Sequence, residues 1–75
     1  MLQEIIDVLE QYTDYPPEEI NEDTTLIEDL ELNSFDVLTI VSDVEDQYGV
    51  HISDEQIMEF KTVGDIEEFL EKNKE

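Results

Sequence analysis

The sequence predicts a small all-α bundle of three principal helices plus one short helix. Apolar residues recur at a 3.6-residue spacing in three separate segments, the signature of helices that bury one face. Helix-start signals stand at Asn33, Ser53 and Thr62, each with an acidic or amide residue three positions on. Seventy-five residues with 39% hydrophobic content suffice for one core, near the lower limit of what a single core stabilises. Residues 1–75 are therefore expected to form a single domain.

The first helix is expected over residues 2–13, with Leu2, Ile5, Ile6, Leu9 and Tyr12 on one face and Gln3, Glu4, Asp7, Glu10 and Gln11 on the rest. Tyr15-Pro16-Pro17 ends it, because a residue before proline is pushed out of the helical region. Residues 15–33 show no long period and make a loop, with Asp29 to Leu32 able to close a short turn. A loop of this length needs anchors, and Ile20, Leu26 and Leu30 are the candidates.

A second helix is expected over 34–48. Its buried stripe is Val37, Ile40, Val41, Val44 and Tyr48, its N-cap Asn33 with Asp36, and its stop Gly49 as a left-handed cap. Val50-His51-Ile52 is an extended link. Ser53 with Gln56 opens a brief helix over about 54–60 that inserts Ile57 and Phe60. Thr62 with Asp65 opens the last helix over about 63–73, which buries Val63, Ile66, Phe69 and Leu70 and frays into Lys72-Asn73-Lys74-Glu75.

Twenty-three acids against three lysines give a formal net charge of -20, and residues 1–60 hold no Lys or Arg. Such a surface repels nucleic acid and anionic membranes and attracts basic patches on other proteins. Disorder is excluded by the periodic apolar content. The charge argues for a monomer. No cysteine is present, so disulfides and thiolate metal sites are excluded. No run approaches the length of a membrane span, and Met1-Leu2-Gln3-Glu4 lacks a signal peptide's basic start, so a cytoplasmic location is expected. No stretch has the spacing of an EF-hand loop, and no metal site is predicted.

Chemistry points to Ser34, on the junction of loop and second helix. Phe35 and Leu38 flank it without belonging to the core stripe, an arrangement that suits an attachment point better than a catalyst. A catalytic serine needs a base within reach and a group orienting that base. The one histidine, His51, lies in the link after the second helix, and no Gly-x-Ser-x-Gly elbow surrounds Ser34. No enzyme activity is expected. On helix chemistry alone, Ser34 reads as a first-turn or capping residue.

The ordered set of motifs reverses that reading. Leu26-Ile27-Glu28-Asp29-Leu30, Asn33-Ser34-Phe35, Glu45-Asp46-Gln47-Tyr48-Gly49-Val50, Ile52-Ser53-Asp54-Glu55 and Thr62-Val63-Gly64-Asp65 follow one another over nearly the whole chain. In this the sequence resembles the acyl carrier protein family of phosphopantetheine-bearing carrier domains. Asn33-Ser34-Phe35 stands where that family usually has Asp-Ser-Leu, and Glu31 where a glycine is common. The resemblance implies that a phosphopantetheinyl transferase links 4'-phosphopantetheine from coenzyme A to the Ser34 hydroxyl, with Asn33 and Phe35 beside the attachment. The carrier then holds acyl groups as thioesters and delivers them to partner enzymes of fatty acid, polyketide or related biosynthesis. A phosphodiester at Ser34 would lie by free N–H groups at the positive end of the helix dipole, a preference of about 0.3–1 kcal/mol.

On the second helix Phe35, Leu38, Ser42 and Glu45 form a line rotated away from the core, and Asp36, Thr39, Asp43 and Asp46 a polar one. The expected docking surface has Phe35 and Leu38 at its apolar centre and Asp36, Asp43, Glu45 and Asp46 as its charged rim. The resemblance places the partner-binding helix here as well, facing synthases with basic docking patches. Two alternatives are a carrier of aminoacyl or aryl groups, and an unmodified acidic module that binds a basic partner surface and uses Ser34 only as a cap.

Overall fold

The computed structural model describes residues 2–73 and contains four α-helices: α1 (Leu2–Leu9), α2 (Ser34–Tyr48), α3 (Asp54–Glu59) and α4 (Val63–Asn73). α1 packs against both α2 and α4. Ile5 and Leu9 from α1, Ile40 and Val44 from α2, and Val63, Ile66 and Leu70 from α4 are essentially sealed from solvent. These are the apolar stripes read from the periodicity, and their burial is the main force closing the bundle. The all-α architecture is thus the one that the sequence predicts.

The first helix is shorter than the expected 2–13. After Leu9 the chain continues for one turn with tighter i→i−3 bonds, Gln11 N–H to Val8 C=O at 3.2 Å and Tyr12 N–H to Leu9 C=O at 2.8 Å. Two tertiary bonds favour this tightening over a further α-turn. The Tyr12 hydroxyl donates to the Asp43 carboxylate of α2, and the Thr13 hydroxyl donates to Leu30 C=O at 3.0 Å. The helix therefore stops well before the proline pair. Phe60, expected inside the third helix, is its C-cap and is buried against the edge of Phe69 with ring centroids 5.8 Å apart. Ile57, expected to insert, is only half buried. The last helix stays regular through Lys72 and Asn73, where fraying is expected; Lys74 and Glu75 lie outside the described residues.

The loop between α1 and α2 is held at both levels, apolar and polar. Ile20, Leu26 and Leu30 are buried as anchors, joined by Leu32. Pro17–Glu19 forms a 3₁₀ turn. The short turn expected at Asp29–Leu32 closes earlier: Thr25 N–H donates to Asp29 Oδ2 and Asp29 N–H to Thr25 Oγ1, both at 2.9 Å. The loop is then sewn to the α3–α4 link. Leu26 N–H donates to Lys61 C=O, Val63 N–H to Thr24 C=O and Gly64 N–H to Glu22 C=O, each at 2.9 Å, around an isolated antiparallel bridge between Thr25 and Thr62. Since Leu32 N–H also donates to Leu26 C=O at 3.2 Å, the segment entering α2 is fixed from the far side of the molecule.

Candidate functional site

Ser34 is the first residue of α2, and its placement is settled by the pair on either side of it. Asn33, in extended conformation, accepts from Asp36 N–H at 2.8 Å through its side chain, while the Asp36 carboxylate accepts from Asn33 N–H at 3.3 Å. The capping box is closed in both directions, so the register of the helix start is fixed to the residue. At the first helical positions the N–H groups of Ser34 and Phe35 have no intrahelical acceptor. Ser34 itself is exposed. It therefore presents a hydroxyl to solvent beside two backbone donors, on a rigid helix end.

The turn before it is strained. Glu31 has φ +57°, the left-handed region, and is the one non-glycine residue with positive φ among the described residues. This is the position where the resemblance led one to expect glycine. Beyond Ser34, Phe35 is 75% exposed and Leu38 51% exposed, although both are large and apolar. The sequence left them without a core to enter, and the fold offers none.

The four acids flanking this surface are placed differently from one another. Asp36 is spent on the capping box. Asp43, half buried, accepts from Tyr12, and that hydrogen bond, with burial and the negative charge behind it, raises the phenol above its ordinary 10.0. Glu45, also half buried, accepts from Ile52 N–H at 2.7 Å, with His51 Nδ1 at 3.6 Å from the same oxygen. Asp46 is exposed, as is Ser42. The bonds to Asp43 and Glu45 cross between elements, so nothing in the local sequence of α2 announced them.

The one histidine is not placed beside Ser34. His51 lies beyond the other end of α2, about 22 Å away along a fifteen-residue helix axis, and its side chain is 91% exposed. At that separation His51 does not serve Ser34 as a general base.

The family model for the phosphopantetheine attachment site matches residues 3–70. The chain belongs to that family. Its Ser34–Phe35 helix start, with an outward hydroxyl and open backbone donors, fits the attachment of a phosphate-linked group. The meromycolate extension acyl carrier protein of Mycobacterium leprae is 34% identical over 71 residues; the match covers 95% of this chain and 62% of that protein. The chain thus spans less than two thirds of that relative's length. The acyl carrier protein of Wolinella succinogenes is also 34% identical over 71 residues, covering 95% of this chain and 93% of that protein. Among solved structures, the acyl carrier protein of Enterococcus faecalis superposes with a TM-score of 0.85 at 26% identity, covering 96% of this chain and 91% of that one. The fold and the family agree.

Proposed function

We propose that this chain is an acyl carrier whose 4'-phosphopantetheine arm is joined to Ser34, acting as a carrier and not as an enzyme. The observation that supports this most is the exposed Ser34 hydroxyl on the first residue of a doubly capped helix, within a phosphopantetheine attachment family match over residues 3–70. When attached, the arm supplies a terminal thiol that holds acyl groups as thioesters. Residues 1–75 serve as one carrier domain. Asn33 fixes the serine in register through the capping box, and the Ser34 and Phe35 N–H groups face the phosphate that would be joined there. Phe35 and Leu38 form the apolar centre of the surface that partner enzymes read, with Ser42 and acids of α2 around it. The partners are a phosphopantetheinyl transferase and enzymes that load, extend or remove the acyl group, in the cytoplasm, with the carrier working as a monomer. Among the described residues no helix is long and apolar enough to cross a membrane.

The test is intact mass after incubation with coenzyme A, magnesium and a broad-specificity phosphopantetheinyl transferase. One phosphopantetheine is expected on the wild-type chain and none on Ser34→Ala. No addition to the wild type by several such transferases would instead support an acidic interaction module that leaves Ser34 as a helix residue.

A further inference from the structure

An α-helix advances about 100° and 1.5 Å per residue. On that wheel Phe35, Ser42 and Asp46 of α2 lie within about 40° of one another, opposite the buried stripe of Val37, Ile40, Val41 and Val44. Asp43 lies about 80° to one side of Phe35 and Glu45 about 80° to the other. Each of these flanking acids is turned onto a neighbouring element: Asp43 onto the Tyr12 hydroxyl after α1, Glu45 onto the Ile52 N–H of the α2–α3 link. What remains outward is Phe35 and, about 60° round on the Glu45 side, Leu38 at the serine end, both exposed and apolar, with the exposed carboxylate of Asp46 near the other end.

Resting on the carrier reading, we infer that the enzyme modifying Ser34 reads α2 through Phe35, Leu38 and Asp46 alone, while Asp43 and Glu45 act inside the fold as latches. The complementary surface is correspondingly specific. It has an apolar pocket for Phe35 and Leu38, and a lysine or arginine about 16 Å further along for Asp46, the rise over eleven helical residues. Charge complementarity supports this occupant, because residues 1–60 of this chain hold no Lys or Arg and a basic enzyme surface meets no lysine or arginine along α2.

The three acids make an internally controlled test. Asp43→Asn, Glu45→Gln and Asp46→Asn each remove one negative charge from a total of -20, so long-range attraction of a basic enzyme changes equally in all three. Any difference among them is local. The measurement is KM and kcat for arm transfer by a broad-specificity phosphopantetheinyl transferase at low and high salt, run well below each variant's melting temperature, with melting followed by circular dichroism. Phe35→Ala is expected to raise KM at least about tenfold, as for a buried interface anchor. Asp46→Asn is expected to raise it about two- to fivefold, as for an exposed ion pair, and to flatten its salt dependence. Both keep the wild-type melting temperature. Asp43→Asn and Glu45→Gln are expected to lower the melting temperature, with KM within about twofold of wild type and the wild-type salt slope. The inference is overturned if Asp43→Asn or Glu45→Gln raises KM as much as Asp46→Asn does, or if Asp46→Asn leaves KM and its salt slope unchanged. Transfer to wild type with this reversed ranking sinks the inference alone; no transfer to wild type sinks the carrier reading with it.

Discussion

At the scale of single residues, two side chains sit in positions that their chemistry opposes. Glu31 holds a left-handed backbone conformation that costs an L-residue about 1–2 kcal/mol, which glycine would avoid. Glycine returns part of that gain, about 0.4–1 kcal/mol, because it loosens the unfolded chain. Glu31→Gly is thus expected to stabilise the protein by somewhat under about 1 kcal/mol, a rise of a few degrees in melting temperature. A fall would show that the Glu31 side chain contributes an interaction larger than the strain. Tyr48 is the second case. Its hydroxyl is buried without a hydrogen-bond partner among the described residues, and burial, with Glu4 and Asp7 nearby, raises it above its ordinary 10.0. Removing an unsatisfied buried hydroxyl while keeping the ring leaves the packing intact. Tyr48→Phe should therefore be neutral or stabilising by up to about 1 kcal/mol in denaturant unfolding. A loss above that would mean that the hydroxyl has a partner in solution. The sequence placed Tyr48 correctly on the core stripe but could not show that its oxygen would be stranded, because that depends on what α1 brings against it.

At the scale of elements, the parts legible in the sequence are those specified by neighbours in the chain. α2 runs over Ser34–Tyr48 as read, because Asn33 with Asp36 and the left-handed Gly49 are local devices at its two ends. α4 starts where Thr62 and Asp65 said it would, with Thr62 N–H donating to Asp65 Oδ2 at 3.0 Å and Asp65 N–H to Thr62 Oγ1 at 3.2 Å. The end of α1, the early turn at Thr25–Asp29 and the roles of Asp43 and Glu45 were not legible, since their partners lie in other elements. Gly64 shows the same division. A glycine inside a helix ordinarily costs about 0.5–1 kcal/mol relative to alanine, so local propensity says that Gly64→Ala should stabilise α4. The packing says the opposite: an added Cβ would stand 2.8 Å from Glu22 C=O and 3.2 Å from Glu22 Cβ, against the loop strand that Gly64 N–H holds at 2.9 Å. Backbone cannot swing aside as a flexible side chain does, so the clash outweighs the propensity. Gly64→Ala is expected to destabilise by about 1–3 kcal/mol in chemical denaturation. A stabilised variant would show that the loop is not seated on α4. Because that same loop leads into Asn33, the variant should also broaden the amide signals of the Ser34 turn.

At the scale of the whole molecule, the net charge of -20 works against the fold that its apolar stripes close. Individual carboxylates shift the balance in opposite senses. Asp65 is held below its ordinary 3.8, first by the N–H of Lys61 and then by the N–H and hydroxyl of Thr62. Its contribution is complete above 3.8 and is lost as pH falls through the lower folded value. Glu67 is raised above its ordinary 4.5, first by hydrogen bonding with Glu22 of the loop and then by burial and by the charges of Glu22 and Glu71. A folded state that holds this proton more tightly is favoured below 4.5 and loses that advantage as pH rises through the raised value. General repulsion among the acids points the same way as Glu67. Melting temperature at low ionic strength should therefore climb as pH is lowered from about 7 to about 5, then fall below about 3.8 as the Asp65 staple of α4 is protonated. Added salt removes the repulsive part of this profile over a screening length of about 8–10 Å near physiological strength, leaving the Asp65 limb in place. Sodium chloride, and magnesium at lower concentration, should thus raise the melting temperature at pH 7 and flatten the rise toward pH 5. A melting temperature at pH 7 indifferent to both cations would mean that the acids are spaced widely enough for solvent alone to screen them, and that the charge serves encounter with partners without burdening the fold.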